Sequence, residues 1–359
     1  MIIDAIRKVV EGANLSEQEA RAAMGEIMEG QATHAQIAAL LTALRIKGET
    51  VEELTGFARA MREKATPVRP KAKHLVDTCG TGGDKTKTFN ISTAAAFVAA
   101  GAGVVIAKHG NRAVTGRCGS ADVLEALGIN PDLDLSPESM AECIDTVGIG
   151  FLFAPRLHRA IRHAMPVRRE MGIRTTFNLL GPLANPAGAQ AQLLGVFAPE
   201  LTEKHARVLL ALGSKRAFVV HGHDGLDEMS TVSPTRVSEL NDGRVTSYDI
   251  TPEQLGLPWA SAQDLEGGLP EEMAHLLLAL LQGRPGPQRD IVLLNAAAAI
   301  VLGDKAPDPK ARPTCRLRAG LEAARQSIDS GAALHKLEGL RAFCRAAGEK
   351  PQSHEGDSR

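Results

Sequence analysis

Cysteine, aromatic residues and net charge are all scarce in this 359-residue chain, and each scarcity removes a class of function. The five cysteines (Cys79, Cys118, Cys143, Cys315 and Cys344) are odd in number, scattered, and lack any Cys-x-x-Cys pair. That excludes a disulfide framework and argues against structural zinc, as expected of a reducing compartment. Aromatic residues make up 3%, with one Trp and one Tyr, too few for the stacking platforms of single-strand binders. With 41 basic against 42 acidic residues the net charge is −1, so no long-range field draws nucleic acid or an anionic membrane. Any anion site must be local. The longest apolar stretch, Ala94 to Ala107, falls short of the roughly 20 residues a membrane helix needs. Met1 to Val10 carries Asp4, Arg7 and Lys8 in a helix-like pattern, unlike a signal peptide. A soluble cytoplasmic protein with neither nucleic-acid nor membrane partners is expected.

A chain of this length buries roughly three quarters of its unfolded surface and can build two domains. The first seventy residues read as helical. Ser16 with Glu19, Thr33 with Gln36 and Thr50 with Glu53 each match the capping box, so three helices follow the opening one. Ile37, Leu40, Leu41 and Leu44 form one apolar face. Pro67 and Pro70 then read as a linker. From Leu75 short apolar runs (104–107, 150–153, 192–197, 217–222) alternate with helical stretches, the rhythm of a mostly parallel sheet wrapped by helices. Ligands of such sheets collect at the carboxyl ends of the strands. The loops there start after residue 76, after Ala107 and after Val220. No repeat of 20 to 50 residues is visible.

The loop after residue 76, "CGTGGDKTKTFNIST" (79–93), sets three glycines and an aspartate before an alanine-rich helix. It is no dinucleotide fingerprint, because counting from Gly80 the sixth place is Lys85. Nor is it a P-loop, since Cys79 and Asp84 stand where its glycines belong. The general chemistry survives: glycines let backbone N–H groups approach a phosphate, and the helix N-terminus adds partial positive charge.

Three further stretches carry chemistry. "KHGNRAVTGRCGSAD" (108–122) crowds Lys108, His109, Arg112 and Arg117 into what reads as a glycine-bearing loop ending at Ser120 as a helix N-cap, fit for a multiply charged anion. "DGLDE" sets Asp227 beside Glu228 near Asp224; the pair suits Mg²⁺, though spacing alone fits a surface acidic turn equally well. Arg168, Arg169 and Arg174 cluster before a loop rich in Gly, Pro and Asn, and spacing does not choose among them. "NAAAAIVLG" (295–303) reads as a buried helix face without chemistry.

Taken in order, "DTCGTGGD", "TFNIST", "KHGNRAVTGRCGSADVLEALG", "PVRREMGIRTTFNLLGPLANP", "DGLDE" and "SIDSGAAL" resemble the signature of the anthranilate phosphoribosyltransferases, from the N-terminal helices to about residue 340. The resemblance implies a helical domain over residues 1–68, completed by helices near 155–175, and an α/β phosphoribosyl-transfer domain over 72–345. The remainder, 346–359, is expected to be an irregular tail. It also implies Mg²⁺, the small-molecule substrates anthranilate and phosphoribosyl pyrophosphate, and a homodimer through the helical domains. Carried over residue by residue, the phosphoribosyl pyrophosphate site would use Gly80, Gly83, Asp84, Thr88, Asn90, Ile91, Ser92 and Thr93 from the first loop. From the second it would use Lys108, His109, Gly110, Asn111, Arg112, Ala113, Val114, Thr115, Gly116 and Ser120. Gly80, His109, Asn111 and Arg168 match positions around anthranilate, and Ser92, Asp227 and Glu228 match those for magnesium. His109 is the candidate proton acceptor.

Two residues depart from the family pattern. Lys85 stands where glycine commonly follows "GTGGD", and Arg159 where proline commonly follows the histidine of "LFAPRLH". Pyrimidine nucleoside phosphorylases share the architecture, but phosphorolysis gives the acidic pair no magnesium-bound pyrophosphate to hold. A nucleic-acid-binding relative without enzymatic activity would need a basic stripe, which the charge balance does not supply.

Overall fold

The computed structural model describes residues 1–82, 88–113, 117–305 and 311–349. The chain opens with four helices: α1 (Ile2–Val10), α2 (Glu17–Met28), α3 (His34–Lys47) and α4 (Val51–Lys64). The last three begin where local chemistry dictates. Ser16, Thr33 and Thr50 each accept a first-turn N–H, and Glu19, Gln36 and Glu53 each reach back to the cap N–H. Glu53 does more than cap. It is fully buried, and its carboxylate accepts from Leu15 N (2.9 Å), Thr50 N (2.8 Å) and Lys47 Nζ (2.9 Å), which offsets the cost of burying a charge.

The α/β part runs β1 (Leu75–Gly80), α5 (Ile91–Gly101), β2 (Val105–Gly110), α6 (Ser120–Ala126), α7 (Pro137–Val147), β3 (Ile149–Phe153), α8 (Ala154–Leu157), α9 (Met165–Met171) and α10 (Thr176–Leu180). It continues through β4 (Ala191–Gly195), α11 (Glu200–Ala211), β5 (Arg216–Gly222), β6 (Thr235–Asn241), β7 (Arg244–Ile250), α12 (Pro270–Leu281), α13 (Pro287–Leu302), α14 (Pro313–Asp329) and α15 (Ala332–Glu349). The described strands form one sheet in the order β3-β2-β1-β4-β5-β6-β7. The first five are mutually parallel, β6 pairs antiparallel with β5 and β7 antiparallel with β6, so the sheet is mostly parallel with a hairpin at one edge.

The structure departs from the sequence reading at both loops and at the C-terminal end, and it adds two strands. β1 runs to Gly80 and β2 to Gly110, because both remain paired with their neighbours that far; the loops therefore begin three to four residues later than apolar runs suggested. β6 and β7 were not anticipated. They are joined through Asp242 and Gly243, both at positive φ (48° and 74°), the backbone that a two-residue hairpin requires. At the other end α15 continues to Glu349, so residues 346–349 extend a helix rather than begin a tail.

Besides a smaller cluster that packs Leu75, Ala107 and Leu152 against α7, two large cores lie on opposite faces of the sheet. One joins Val76, Ile106, Leu193 and Val220 to α5, α13 and α14. The other joins Leu194, Val196, Ala217 and Val219 to α11 and the N-terminal helices, and it also takes in Ala164, Val167 and Phe177 from the 155–180 region. The central strands thus bury both faces, which is why they read as continuous apolar runs, whereas edge strand β7 is largely exposed.

Candidate active site

β1 lies in the middle of the sheet; the chain passes to β2 and β3 on one side, then crosses to β4 and β5 on the other. The order reverses between β1 and β4, so a crevice opens at their carboxyl ends. Gly80 and Gly195 face each other there in register. A Cβ on Gly195 would lie 1.5 Å from the Asp227 carbonyl oxygen, and one on Gly80 2.5 Å from Asp227 Oδ2. These glycines therefore make room for the acidic segment after β5. Gly82 N donates to Asp227 Oδ2 at 3.0 Å, tying the two loops together.

Successive residues of a strand face opposite sides, and this separates the basic groups of β2. Lys108 and His109 are not loop residues, as the sequence suggested, but buried strand residues. Lys108 Nζ donates to Thr78 O and lies 3.3 Å from Ser92 Oγ, on the α5 side. Burial pushes its pKa down, while Asp77, Cys79 and Glu228 work in the other direction. His109 points to the other face, its ring 5.0 Å from that of His158. Burial, then His158, pushes His109 down to about 3, and burial pushes His158 down to about 4. Both rings are neutral at pH 7, and Nε2 of each is buried without a hydrogen-bond partner among the described residues.

Beneath His109, Asp77 accepts from His109 N (3.0 Å) and Asn185 Nδ2 (2.8 Å), and Asn185 also donates to Ala107 O (2.9 Å). Residue types had not singled out Asp77, Asn185 or His158. Asn185 lies more than a hundred residues from Asp77, and only the motif histidine of "LFAPRLH" offered a signal. On the same side Arg168, half-buried on α9, stacks over Phe177 at 5.1 Å. Arg169 is exposed and Arg174 lies over Phe197 at 4.5 Å. Arg159 is exposed at the start of a 3₁₀ turn, Arg159–His163.

At the α5 side, Asn90 precedes the helix without capping it: Nδ2 donates to Cys118 O (3.0 Å), while Oδ1 has no partner among the described residues. Thr93 Oγ1, also buried, has none either. A helix start, with its partial positive charge, beside unmatched buried oxygens is an arrangement that can accept an anion such as phosphate. Ile91 is buried in the core, and Thr88 bridges to Glu266.

The second loop is pinned from within. Asp122 accepts from Gly119 N (2.8 Å) and Ala113 N (2.9 Å), so Gly119 rather than Ser120 is the cap, and Ser120 is the first helical residue. Arg112 contacts Asp122 (3.1 Å), Glu125 (2.7 Å) and Asp132 (2.6 Å), so its guanidinium is shared among three carboxylates. Asn111 O accepts from Ala121 N, and Gly110 ends β2. Gly83, Asp84, Lys85, Val114, Thr115 and Gly116 lie outside the described residues.

Ser92, Asp227 and Glu228 supply only hard oxygen donors, which suits Mg²⁺. Among the described residues no group of three or more His, Cys, Asp or Glu could cage a metal. The donors present fit an ion that takes its other ligands from water and a substrate's phosphates.

Residues 72–334 match the glycosyl transferase family, a/b domain, and residues 3–65 the glycosyl transferase family, helical bundle domain. The anthranilate phosphoribosyltransferase of Symbiobacterium thermophilum is 58% identical over 94% of this chain and 96% of its own length. That of Moorella thermoacetica is 55% identical over 94% and 97%. This chain belongs to the anthranilate phosphoribosyltransferases. The Thermus thermophilus enzyme superposes with a TM-score of 0.88 at 46% identity, covering 95% of this chain and 99% of that one. The Saccharomyces cerevisiae anthranilate phosphoribosyltransferase, solved in complex with PRPP and Mg, gives 0.86 at 28% identity over 96% and 98%. No described helix is long and apolar enough to cross a membrane.

Proposed function

We propose that the chain transfers the phosphoribosyl group of 5-phosphoribosyl 1-pyrophosphate to the amine of anthranilate, giving N-(5-phosphoribosyl)anthranilate and pyrophosphate for tryptophan biosynthesis. The observation that carries this reading is the two-sided end of β2. Lys108 faces the α5 start, where a pyrophosphate would lie, and His109 faces His158 on the side of the sheet that also carries Arg168 and Phe177, where an aromatic acid would lie.

In this reading the bond from ribose C1 to pyrophosphate breaks as the amine nitrogen bonds to C1, and the nitrogen loses a proton. Negative charge grows on the pyrophosphate, next to Lys108 and the open N–H groups of α5. Mg²⁺ held by Ser92, Asp227 and Glu228 would add positive charge at the same oxygens. Anthranilate is a weak nucleophile, so positioning supplies much of the rate; Arg168, lying over the Phe177 ring, would grip its carboxylate. Neutral His109, its Nε2 open, accepts the proton. A weakly basic imidazole suffices, because an arylammonium is strongly acidic.

The helical domain carries four of the exposed large apolar residues, Met1, Ile3, Val10 and Ile46, the last 83% exposed, which supports a homodimer through this domain. Sedimentation of wild type and Ile46→Glu tests it: a monomeric wild type would remove the dimer. The enzymatic reading is tested by following anthranilate fluorescence with phosphoribosyl pyrophosphate and Mg²⁺, each omitted in turn. Fluorescence should fall only when all are present, and loss of signal without phosphoribosyl pyrophosphate would overturn it.

A further inference from the structure

α13 is apolar and fully buried from Ile291 to Leu302 with one exception, Asn295. A buried primary amide costs stability unless its donors and acceptor are matched. Here they are matched by the chain just beyond the acidic pair. Asn295 Nδ2 donates to Met229 O (2.9 Å) and Ile291 O (2.9 Å), and Asn295 Oδ1 accepts from Met229 N (3.0 Å). The amide thus pairs with both polar groups of Met229 as a neighbouring strand would.

We propose that Asn295 is a positioning residue that fixes the direction of the Asp227 and Glu228 carboxylates toward the magnesium-bound pyrophosphate. This rests on the reading of that pair given above. The segment is held at two points. Before Glu228, the backbone of Asp227 lies against Gly195, where no Cβ would fit. After it, Asn295 holds Met229, whose side chain is buried in the core. With both neighbours fixed, Glu228 has little backbone freedom left, and it lies close enough to Lys108 to act on it electrostatically. Beyond Met229 the order continues: Ser230 N donates to Thr235 Oγ1 (2.9 Å) and Ser230 Oγ to Asp224 Oδ2 (2.8 Å). Asn295 touches no reacting atom, so it would act through the geometry of the two carboxylates alone.

Partners that orient metal-binding groups typically cost about 10- to 100-fold in metal affinity when removed. The test uses Mn²⁺ as a paramagnetic probe, its binding to the full-length enzyme followed by electron paramagnetic resonance with phosphoribosyl pyrophosphate present. Asn295→Ala should weaken Mn²⁺ binding about tenfold or more and leave the anthranilate KM within about twofold. Asn295→Asp keeps volume and acceptor and, protonated because burial against two carbonyl oxygens disfavours the anion, keeps one of the two donors; it should fall between, and it carries the test if the alanine variant does not fold. Val292→Ala on the same buried helix is the stability control: its Tm should drop while Mn²⁺ affinity stays within about twofold. Folded Asn295 variants with wild-type Mn²⁺ affinity, or a Val292→Ala variant weakened as much, would overturn the proposal. Wild-type enzyme that binds no Mn²⁺ in the presence of phosphoribosyl pyrophosphate would instead overturn the reading of the acidic pair on which it rests.

Discussion

At the scale of residues, one peptide unit separates Lys108 from His109, and strand geometry turns that step into two chemically different sides of a site. Neither role could be assigned from residue type, because both residues seemed to sit in one loop. Arg168 is a similar case: its stacking on Phe177 distinguishes it from exposed Arg169. If the guanidinium grips the carboxylate of anthranilate, Arg168→Ala should raise the anthranilate KM and leave the phosphoribosyl pyrophosphate KM nearly unchanged. A charged hydrogen-bonded contact is worth about 1.5 to 3 kcal/mol, which puts the loss in kcat/KM at roughly tenfold to a few hundredfold. Arg169→Ala is the control, and equal behaviour of the two variants removes Arg168 from the acceptor side. For the acidic pair, Asp227→Asn with Glu228→Gln should leave Tm nearly unchanged and raise the Mg²⁺ concentration for half-maximal rate. An unaltered magnesium titration would exclude both residues from the metal site.

At the scale of elements, legibility followed the range of the interactions involved. Capping boxes span three residues, so Ser16, Thr33 and Thr50 announced their helices correctly. The central strands announced themselves by burial on both faces. β6 and β7 did not, because β7 is largely exposed and its sequence, "RVTSYDI", contains no apolar run. The turn signal was nevertheless present in Asp242-Gly243, between two strands rich in β-branched residues. The pairings of Asp77 with Asn185 and of Met229 with Asn295 lay beyond any local pattern. They join residues 108 and 66 apart, and only the folded sheet brings them together. The hairpin makes its own prediction. Gly243 at φ 74° would resist a β-branched side chain, so Gly243→Val should cost about 1 to 2 kcal/mol in urea unfolding. The turn lies at the far end of β6 and β7 from the crevice, so kcat at 25 °C should be retained. A variant as stable as wild type would show that the turn does not hold the backbone described.

At the scale of the whole molecule, three buried histidines couple stability to pH. His109, His158 and His205 are held neutral chiefly by burial, at about 3, 4 and 4. His205 sits on α11 with Nδ1 3.0 Å from Leu201 O and Nε2 3.3 Å from Leu179 O. In the unfolded chain each titrates near its ordinary 6.5. Between about pH 6.5 and pH 4 the unfolded state therefore binds more protons than the folded one, and stability falls as pH falls. Each histidine contributes a slope of up to about 1.4 kcal/mol per pH unit, and the three together up to about 4. Asp77 opposes this with at most one proton, because burial raises its pKa and the folded state takes up that proton first. The depressed carboxylate of Asp122 adds to the loss only near and below about pH 4, where unfolded aspartate titrates. The urea midpoint followed by circular dichroism should accordingly drop steeply from pH 7 to pH 5. His205→Gln separates this from general acid sensitivity: its amide offers two N–H donors to the same two carbonyls and does not titrate, so the slope should flatten by about one histidine's share. A midpoint level from pH 7 to pH 5, or a His205→Gln variant with the wild-type slope, would show that burial does not hold these imidazoles neutral.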